Sequence, residues 1–228
     1  MRLYICDKQN VDIDSAYERI KTAPESELRE RIMRFCMEDD RKTALAREVL
    51  FNGILHEKFG TGRVSVLKNG YGKPYVEQDA GFFFNISHSG DLVGIVFGDS
   101  SAGLDIEKTD KAAGFKDLLC LFSDTDKDYI LDSSDPEMTF LRVWTCREAL
   151  SKKDGTGLTL YEKENVSFAY DDGLAYLRGI EHRFYGYGYP DYLITLCMEP
   201  GQEKPGITMA DGEIWESMVR MFYNDHSL

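Results

Sequence analysis

Residues 82–108 read FFFNISHSGDLVGIVFGDSSAGLDIEK, and how this run divides settles the fold. Phe82–Ile86 and Leu92–Phe97 are apolar, β-branched and aromatic runs of strand length, separated by the small polar residues SHSGD. Ala102–Glu107 follows GDSS as a further strand. Toward the N-terminus, RLYICD reads as a first strand. From Ser26 to Phe59 the apolar residues Leu28, Ile32, Phe35, Leu45, Val49 and Phe59 recur at helical spacing, as two helices broken near MEDD. The period then changes: Arg63–Leu67 alternates as a strand and NGYG (Asn69–Gly72) marks a turn.

Toward the C-terminus the punctuation is clear. Asp135 is a good N-cap, Pro136 suits the first helical position and Gly155 fits the end, framing EMTFLRVWTCREALSKKD as one helix. Strands return at Val166–Tyr170, Leu174–Ile180 and Tyr192–Met198, and a last helix is expected over Glu213–Tyr223. The order strand–helices–strands therefore occurs twice. This predicts an α+β fold of two similar α/β halves related by a pseudo-twofold axis, residues 1–102 and 103–228, the second with a C-terminal extension.

The chain has 228 residues, enough for two cores, with an ordinary globular composition of 43% hydrophobic and 29% charged residues. Its apolar runs are strand-length, too short to span a membrane, and MRLYICDKQN turns polar too soon for a secretory signal. Five widely spaced cysteines with no CxxC pair point to reduced thiols and a cytoplasmic location. The net charge of −13 disfavours free nucleic acid as a partner. An anionic ligand would need a local site of basic side chains, backbone N–H groups or a bound cation.

Four stretches carry chemistry. In GLDIEK, Asp105 and Glu107 project to one strand face with Cα atoms roughly 6.6 Å apart, so both carboxylates could converge on one cation; spacing alone leaves a solvated strand face open. In VWTCREALSKK, Trp144, Glu148 and Lys152 fall at i, i+4 and i+8, on one helical stripe, which an ordinary amphipathic surface also explains. YGKPY offers Lys73 on a stiffened turn. Ser87-His88-Ser89-Gly90 is either an anion-binding turn or a loop with a solvated histidine. A zinc role is disfavoured, because His56, His182 and His226 lie in unrelated contexts.

In order and spacing these blocks are less ordinary. GKP, FNISHSG, GLDIE and WTCREALSK followed by GTGL together resemble the 4′-phosphopantetheinyl transferases, in particular the larger, monomeric class that activates nonribosomal peptide and polyketide synthases. The resemblance covers about residues 70–160, with a looser likeness over Arg31–Leu45. It implies that fold and an enzyme that transfers the phosphopantetheine arm of coenzyme A to a serine of an apo acyl or peptidyl carrier domain, releasing 3′,5′-ADP. It implies Mg²⁺, or Mn²⁺, held by Asp105, Glu107 and Glu148, a ligand set suited to a hard cation. Glu148 is the candidate base as well as a ligand, and Lys152 would hold the pyrophosphate and steady the leaving oxygen. Lys73, Ser87, His88, Arg31 and Arg41 would contact coenzyme A.

The chain departs from the family pattern at Arg147, where lysine is usual, and at Leu28 and Thr43, which stand at sites often basic. Recognition of the 3′-phosphate would then lean more on His88. Arg142, Arg147, Lys152 and Lys153 are expected to form a basic strip where an acidic carrier docks. Two other functions use the same residues: a Mg²⁺-dependent hydrolase of coenzyme A or a related nucleotide pyrophosphate, and a non-catalytic coenzyme A-binding module.

Overall fold

Alternating apolar strands and capped helices assemble into two runs of similar order. The structure, a computed structural model, describes residues 1–79, 81–155 and 166–226. The first run is β1 (Arg2–Asp7), helices α1 (Ile13–Thr22), α2 (Glu27–Met33) and α3 (Glu38–Phe59), a small hairpin of β2 (Val66–Lys68) and β3 (Pro74–Val76), then β4 (Phe83–Ser89) and β5 (Leu92–Gly98). The second is β6 (Gly103–Lys108), helices α4 (Asp124–Leu131) and α5 (Pro136–Asp154), a hairpin of β7 (Val166–Ala169) and β8 (Leu174–Leu177), then β9 (Ile180–Tyr189) and β10 (Tyr192–Met198). β11 (Ile207–Met209) and α6 (Gly212–His226) close the chain.

The fold is α+β, as the sequence predicts. The two main sheets have strand orders β11-β1-β5-β4 and β6-β10-β9-β8-β7. In each, the leading strand pairs antiparallel with the last of its run, which pairs antiparallel with the one before it. The pairing of these three strands is thus repeated in the second run. There the hairpin β7–β8 joins the main sheet through β9, whereas β2–β3 form a separate two-stranded sheet.

The structure departs from the sequence expectations in several places. β9 and β11 are strands where none was expected, and β8 ends at Leu177 because Arg178 and Gly179 turn the chain with positive φ. α1 lies in a stretch where no element was expected; Asp12 caps it by accepting from the Ser15 N–H, and Ile13, Ala16, Tyr17 and Ile20 form its buried face. Helices α2 and α3 break slightly earlier than MEDD, around Arg34–Met37. Most consequential, SHS is not a turn: β4 runs through Ser89, and only Gly90 and Asp91 turn the chain into β5. Gly90 has φ +53°, and a Cβ there would sit 2.6 Å from the Tyr192 hydroxyl, so the turn excludes larger residues.

The reason that β4 extends is a side-chain ladder between the sheets. Asn85, Ser87 and Ser89 lie at alternate positions and so share one face of β4. Each accepts from a backbone N–H of β6: Leu104 to Asn85 Oδ1 (2.9 Å), Ile106 to Ser87 Oγ (3.1 Å) and Lys108 to Ser89 Oγ (3.1 Å). The edge of the second sheet is thereby satisfied by side chains in place of a neighbouring strand.

An apolar layer of Leu3, Ile5, Leu92 and Val96 against Leu104, Ile106, Ile194 and Leu196 fills the space between the sheets. α3 covers the outer face of the first sheet and α5 packs against β6 and β10 of the second. The C-terminal segment returns to the first sheet. β11 pairs parallel with β1, and Trp215, Met218, Phe222 and Tyr223 of α6 enter the core built around α3.

Candidate active site

The catalytic candidates meet because α5 lies very close to β6. A Cβ on Gly103 would fall 1.9 Å from the Ala149 carbonyl oxygen, so only glycine admits this approach. The approach sets Lys152 over Asp105. Its Nζ donates to Asp105 Oδ1 (2.6 Å) and to Ser87 Oγ (3.1 Å), and Ser87 is also 3.3 Å from Asp105 Oδ1. Glu107, two residues on, accepts from Ser89 (2.9 Å) and from Lys111 Nζ (2.7 Å). The alternation on one face that the sequence predicts for Asp105 and Glu107 is therefore present.

Asp105 is 3% exposed, and its Oδ2 is buried without a hydrogen-bond partner. Burial pushes its pKa up to about 6 against the pull of Lys152, and the charges of Glu107 and Glu148 add to the rise. Burial also raises the half-buried Glu148, which feels Lys152 and Glu107. The charge of Glu107 thus bears on both Asp105 and Glu148, and that of Glu148 on Asp105. Among the described residues, no group of three His, Cys, Asp or Glu side chains is drawn together as a ready-made metal site. Lys152 and Lys111 neutralise two of these three carboxylates instead. An orphaned buried carboxylate oxygen beside two further acidic groups nonetheless fits a hard divalent cation.

On the opposite side of β4, His88 faces α3. It lines a cleft of about 380 Å³ with Phe35, Asp39, Thr43 and Arg47. Loss of water around its ring lowers the His88 pKa, and the charges of Arg47, Lys152, Lys111 and Lys8 lower it further. Lys8, Arg47 and Lys111 stand in no recognisable sequence block; only three-dimensional proximity to His88 marks them.

The remaining candidates are dispersed. Lys73 donates to the Lys153 carbonyl (2.7 Å) at the end of α5, and burial beside Lys153 lowers its pKa to about 8. Arg31 pairs with Glu48 (2.9 Å), and Arg41 Nε donates to the Phe35 carbonyl (2.7 Å). The expected basic strip does not form. Arg147 is packed between Phe122 and Phe168 and paired with the buried Asp126, Lys153 is 8% exposed, and Lys152 is held by Asp105; only Arg142 of the four lies on the open surface. The Thr156–Leu158 part of the GTGL block lies outside the described residues.

Comparison with known proteins decides the family. Residues 13–99 match the family model described as "4′-phosphopantetheinyl transferase, N-terminal". The chain is 31% identical to 4′-phosphopantetheinyl transferase Sfp of Bacillus subtilis (strain 168), over 91% of this chain and 92% of that protein. The chain belongs to the 4′-phosphopantetheinyl transferases. It is 30% identical to 4′-phosphopantetheinyl transferase psf-1 of Bacillus pumilus, over 80% of this chain and 81% of that protein. A further relative, 4′-phosphopantetheinyl transferase ffp of Bacillus subtilis, is 26% identical over 90% of this chain and 91% of its own length. These alignments span both topological repeats, so the likeness to the phosphopantetheinyl transferases is one of the whole molecule. No helix among the described residues is long and apolar enough to cross a membrane.

Proposed function

We propose that this phosphopantetheinyl transferase works at the seam between β4, β6 and α5 as a Mg²⁺-dependent enzyme. Coenzyme A is its substrate and the serine of an apo carrier domain its acceptor. The observation that carries the reading is Asp105: a buried carboxylate with one oxygen on Lys152, the other without a partner, and two more carboxylates acting on it. Asp105, Glu107 and Glu148 would hold the cation, which supplies charge neutralisation to the diphosphate when bound.

The chain's own groups account for the remaining steps. The carrier serine oxygen bonds to the phosphorus that bears the pantetheine arm. The bond from that phosphorus to the bridging oxygen breaks, and 3′,5′-ADP leaves. The serine proton passes to Glu148 or to water beside it. Glu148 is held by α5 one turn before Lys152, so both face the same point. Lys152 Nζ, positioned by Ser87, holds the diphosphate and steadies the departing oxygen. Ser87 is 5% exposed, and its hydroxyl is engaged with Ile106, Asp105 and Lys152. Its part is therefore to position Lys152, and contact with coenzyme A phosphates falls to His88.

Lys73 stands beside the end of α5, on the nucleotide side of the seam in this reading. Monomeric action on free carrier domains in a cytoplasmic setting completes the proposal. Intact-mass measurement of several apo carriers after incubation with the protein, coenzyme A and Mg²⁺ tests it. A gain of about 340 Da on at least one carrier is expected from transfer of the arm. Release of 3′,5′-ADP at a rate indifferent to carrier, with no mass gain, would mark a hydrolase instead.

A further inference from the structure

In the transferase reading the 3′-phosphate of coenzyme A finds one of the expected cations, Arg31, already paired with Glu48 (2.9 Å), and the other expected positions supply none. Leu28 is buried in the core around α3 at 6% exposure. Arg41 is turned to the Phe35 carbonyl. The Thr43 hydroxyl donates to the Asp39 carbonyl (2.9 Å) and accepts from Lys8 Nζ (2.8 Å), so its proton is committed. His88 offers a ring N–H, but the surroundings that lower its pKa favour the neutral imidazole. A dianionic phosphate in a chain of net charge −13 needs at least one full positive charge at hand.

Arg47 supplies it. Its side chain lies on the same cleft as His88, across from β4, and is 28% exposed. Glu48 orients it: one carboxylate oxygen accepts from Arg47 (3.2 Å) and the other from Arg31 (2.9 Å), so one acidic group sits between two guanidinium groups. That arrangement leaves a net positive charge and unspent Arg47 donors on the cleft side. The acidic residues of the cleft are partly answered. Lys8, with its side chain 3% exposed, reaches two of the cleft residues from behind, with Nζ 2.6 Å from Asp39 Oδ1 and 2.8 Å from Thr43 Oγ1, and lies 3.7 Å from Asp91 Oδ1. A buried lysine at that point offsets part of the Asp39 charge before any phosphate arrives. Asp40 remains on the rim, exposed to water.

We infer that Arg47, oriented by Glu48 and opposed to His88, is the residue by which this enzyme distinguishes coenzyme A from 3′-dephospho-coenzyme A, with Lys8 offsetting part of the Asp39 charge. This inference rests on the transferase reading, but a different substrate comparison tests it. The transfer rate of the arm to one carrier is measured with coenzyme A and with 3′-dephospho-coenzyme A for the wild type, Arg47→Gln and Arg47→Lys. Calorimetry with 3′,5′-ADP and with 5′-AMP gives a binding measure free of turnover. Arg47→Gln should lower kcat/KM for coenzyme A roughly 10- to 100-fold and leave 3′-dephospho-coenzyme A nearly unaffected. The same variant should erase the preference for 3′,5′-ADP over 5′-AMP, and Arg47→Lys should restore part of it. Lys8→Met should shrink the preference in the same direction, by exposing the cleft to the Asp39 charge. An unchanged coenzyme A preference in Arg47→Gln, or equal loss on both substrates, overturns the assignment while wild-type transfer stands. Failure of the wild type to modify any carrier would instead overturn the transferase reading itself.

Discussion

At Asp105 one carboxylate answers two demands. It is buried at 3% exposure, which favours its neutral form, while Lys152, 2.6 Å away, favours the ionised form. Asn at this position keeps the shape and can still accept from Lys152, but it cannot offer a cation a charged oxygen. Asp105→Asn is therefore expected to lower the rate of arm transfer by at least about 100-fold at saturating Mg²⁺, with the melting temperature close to wild type. Carrier mass and thermal melts recorded on the same preparation decide it; near-normal transfer would remove Asp105 from the proposed metal set. Ser87 poses the complementary case. Ser87→Ala strips the acceptor from the Ile106 N–H inside the molecule and one of the contacts on Lys152. A loss of about 1–3 kcal/mol in denaturant unfolding is expected, since a buried donor is left unpaired. A fall in kcat with little change in KM for coenzyme A should accompany it, if Ser87 positions Lys152 and does not bind substrate.

Among the elements, α5 does the most to build the site, and Gly103 sets its distance from β6. Gly103→Ala places a Cβ against the Ala149 carbonyl and the Lys153 backbone nitrogen, and neither backbone atom can yield without moving the helix. The variant should lose about 1–3 kcal/mol of stability, and transfer should fall with it, because Glu148 and Lys152 ride on the displaced helix. At the far end, Asp225 of α6 binds three donors: Asn52 Nδ2 (3.1 Å), His56 Nε2 (2.8 Å) and the Gly62 N–H (2.7 Å). Burial raises its pKa, but those three contacts outweigh it and leave the net value below 3.8. A depressed carboxylate pKa contributes stability above the unfolded value that is lost as pH falls through the folded one. Wild type should therefore lose stability below about pH 4 more steeply than Asp225→Asn, as followed by thermal melts across that range.

These elements also show why part of the molecule was legible in one sequence. α5 was readable at both ends, since Asp135, Pro136 and Gly155 act through their own backbone. The pairing of Asp105 and Glu107 was readable from the period of a strand. SHS was misassigned because Ser and His near a Gly read as a turn, whereas Asn85, Ser87 and Ser89 are polar so that they can hydrogen-bond β6, a requirement visible only once both strands are placed. The basic strip failed for the same kind of reason. Charge sequence along a helix does not reveal that Asp126 and two aromatic rings wait for Arg147.

On the scale of the whole molecule, the repeat of topology does not divide the chain into two independent bodies. The core around α3 takes Ala210, Trp215, Met218, Phe222 and Tyr223 from the last part of the chain, and β11 supplies the outer strand beside β1. Residues 1–102 alone would leave the faces of α3 and β1 that receive these side chains open to water. Burying one such large apolar side chain is worth roughly 1.5–3 kcal/mol, and a domain of this size holds only about 5–15 kcal/mol in total. A fragment of residues 1–102 is thus expected to lack a cooperative thermal transition and to expose its amides to rapid hydrogen exchange. Truncation after Gly206 should have the same consequence for the first sheet while leaving β6, β10 and α5 with their own packing. Joining residues 201–228 to the fragment through a flexible linker should bring back protection in α3 and β1. A cooperative transition in the unsupplemented fragment would show that α6 lies on a half already complete, and the seam bearing Asp105 would then join two bodies that fold on their own.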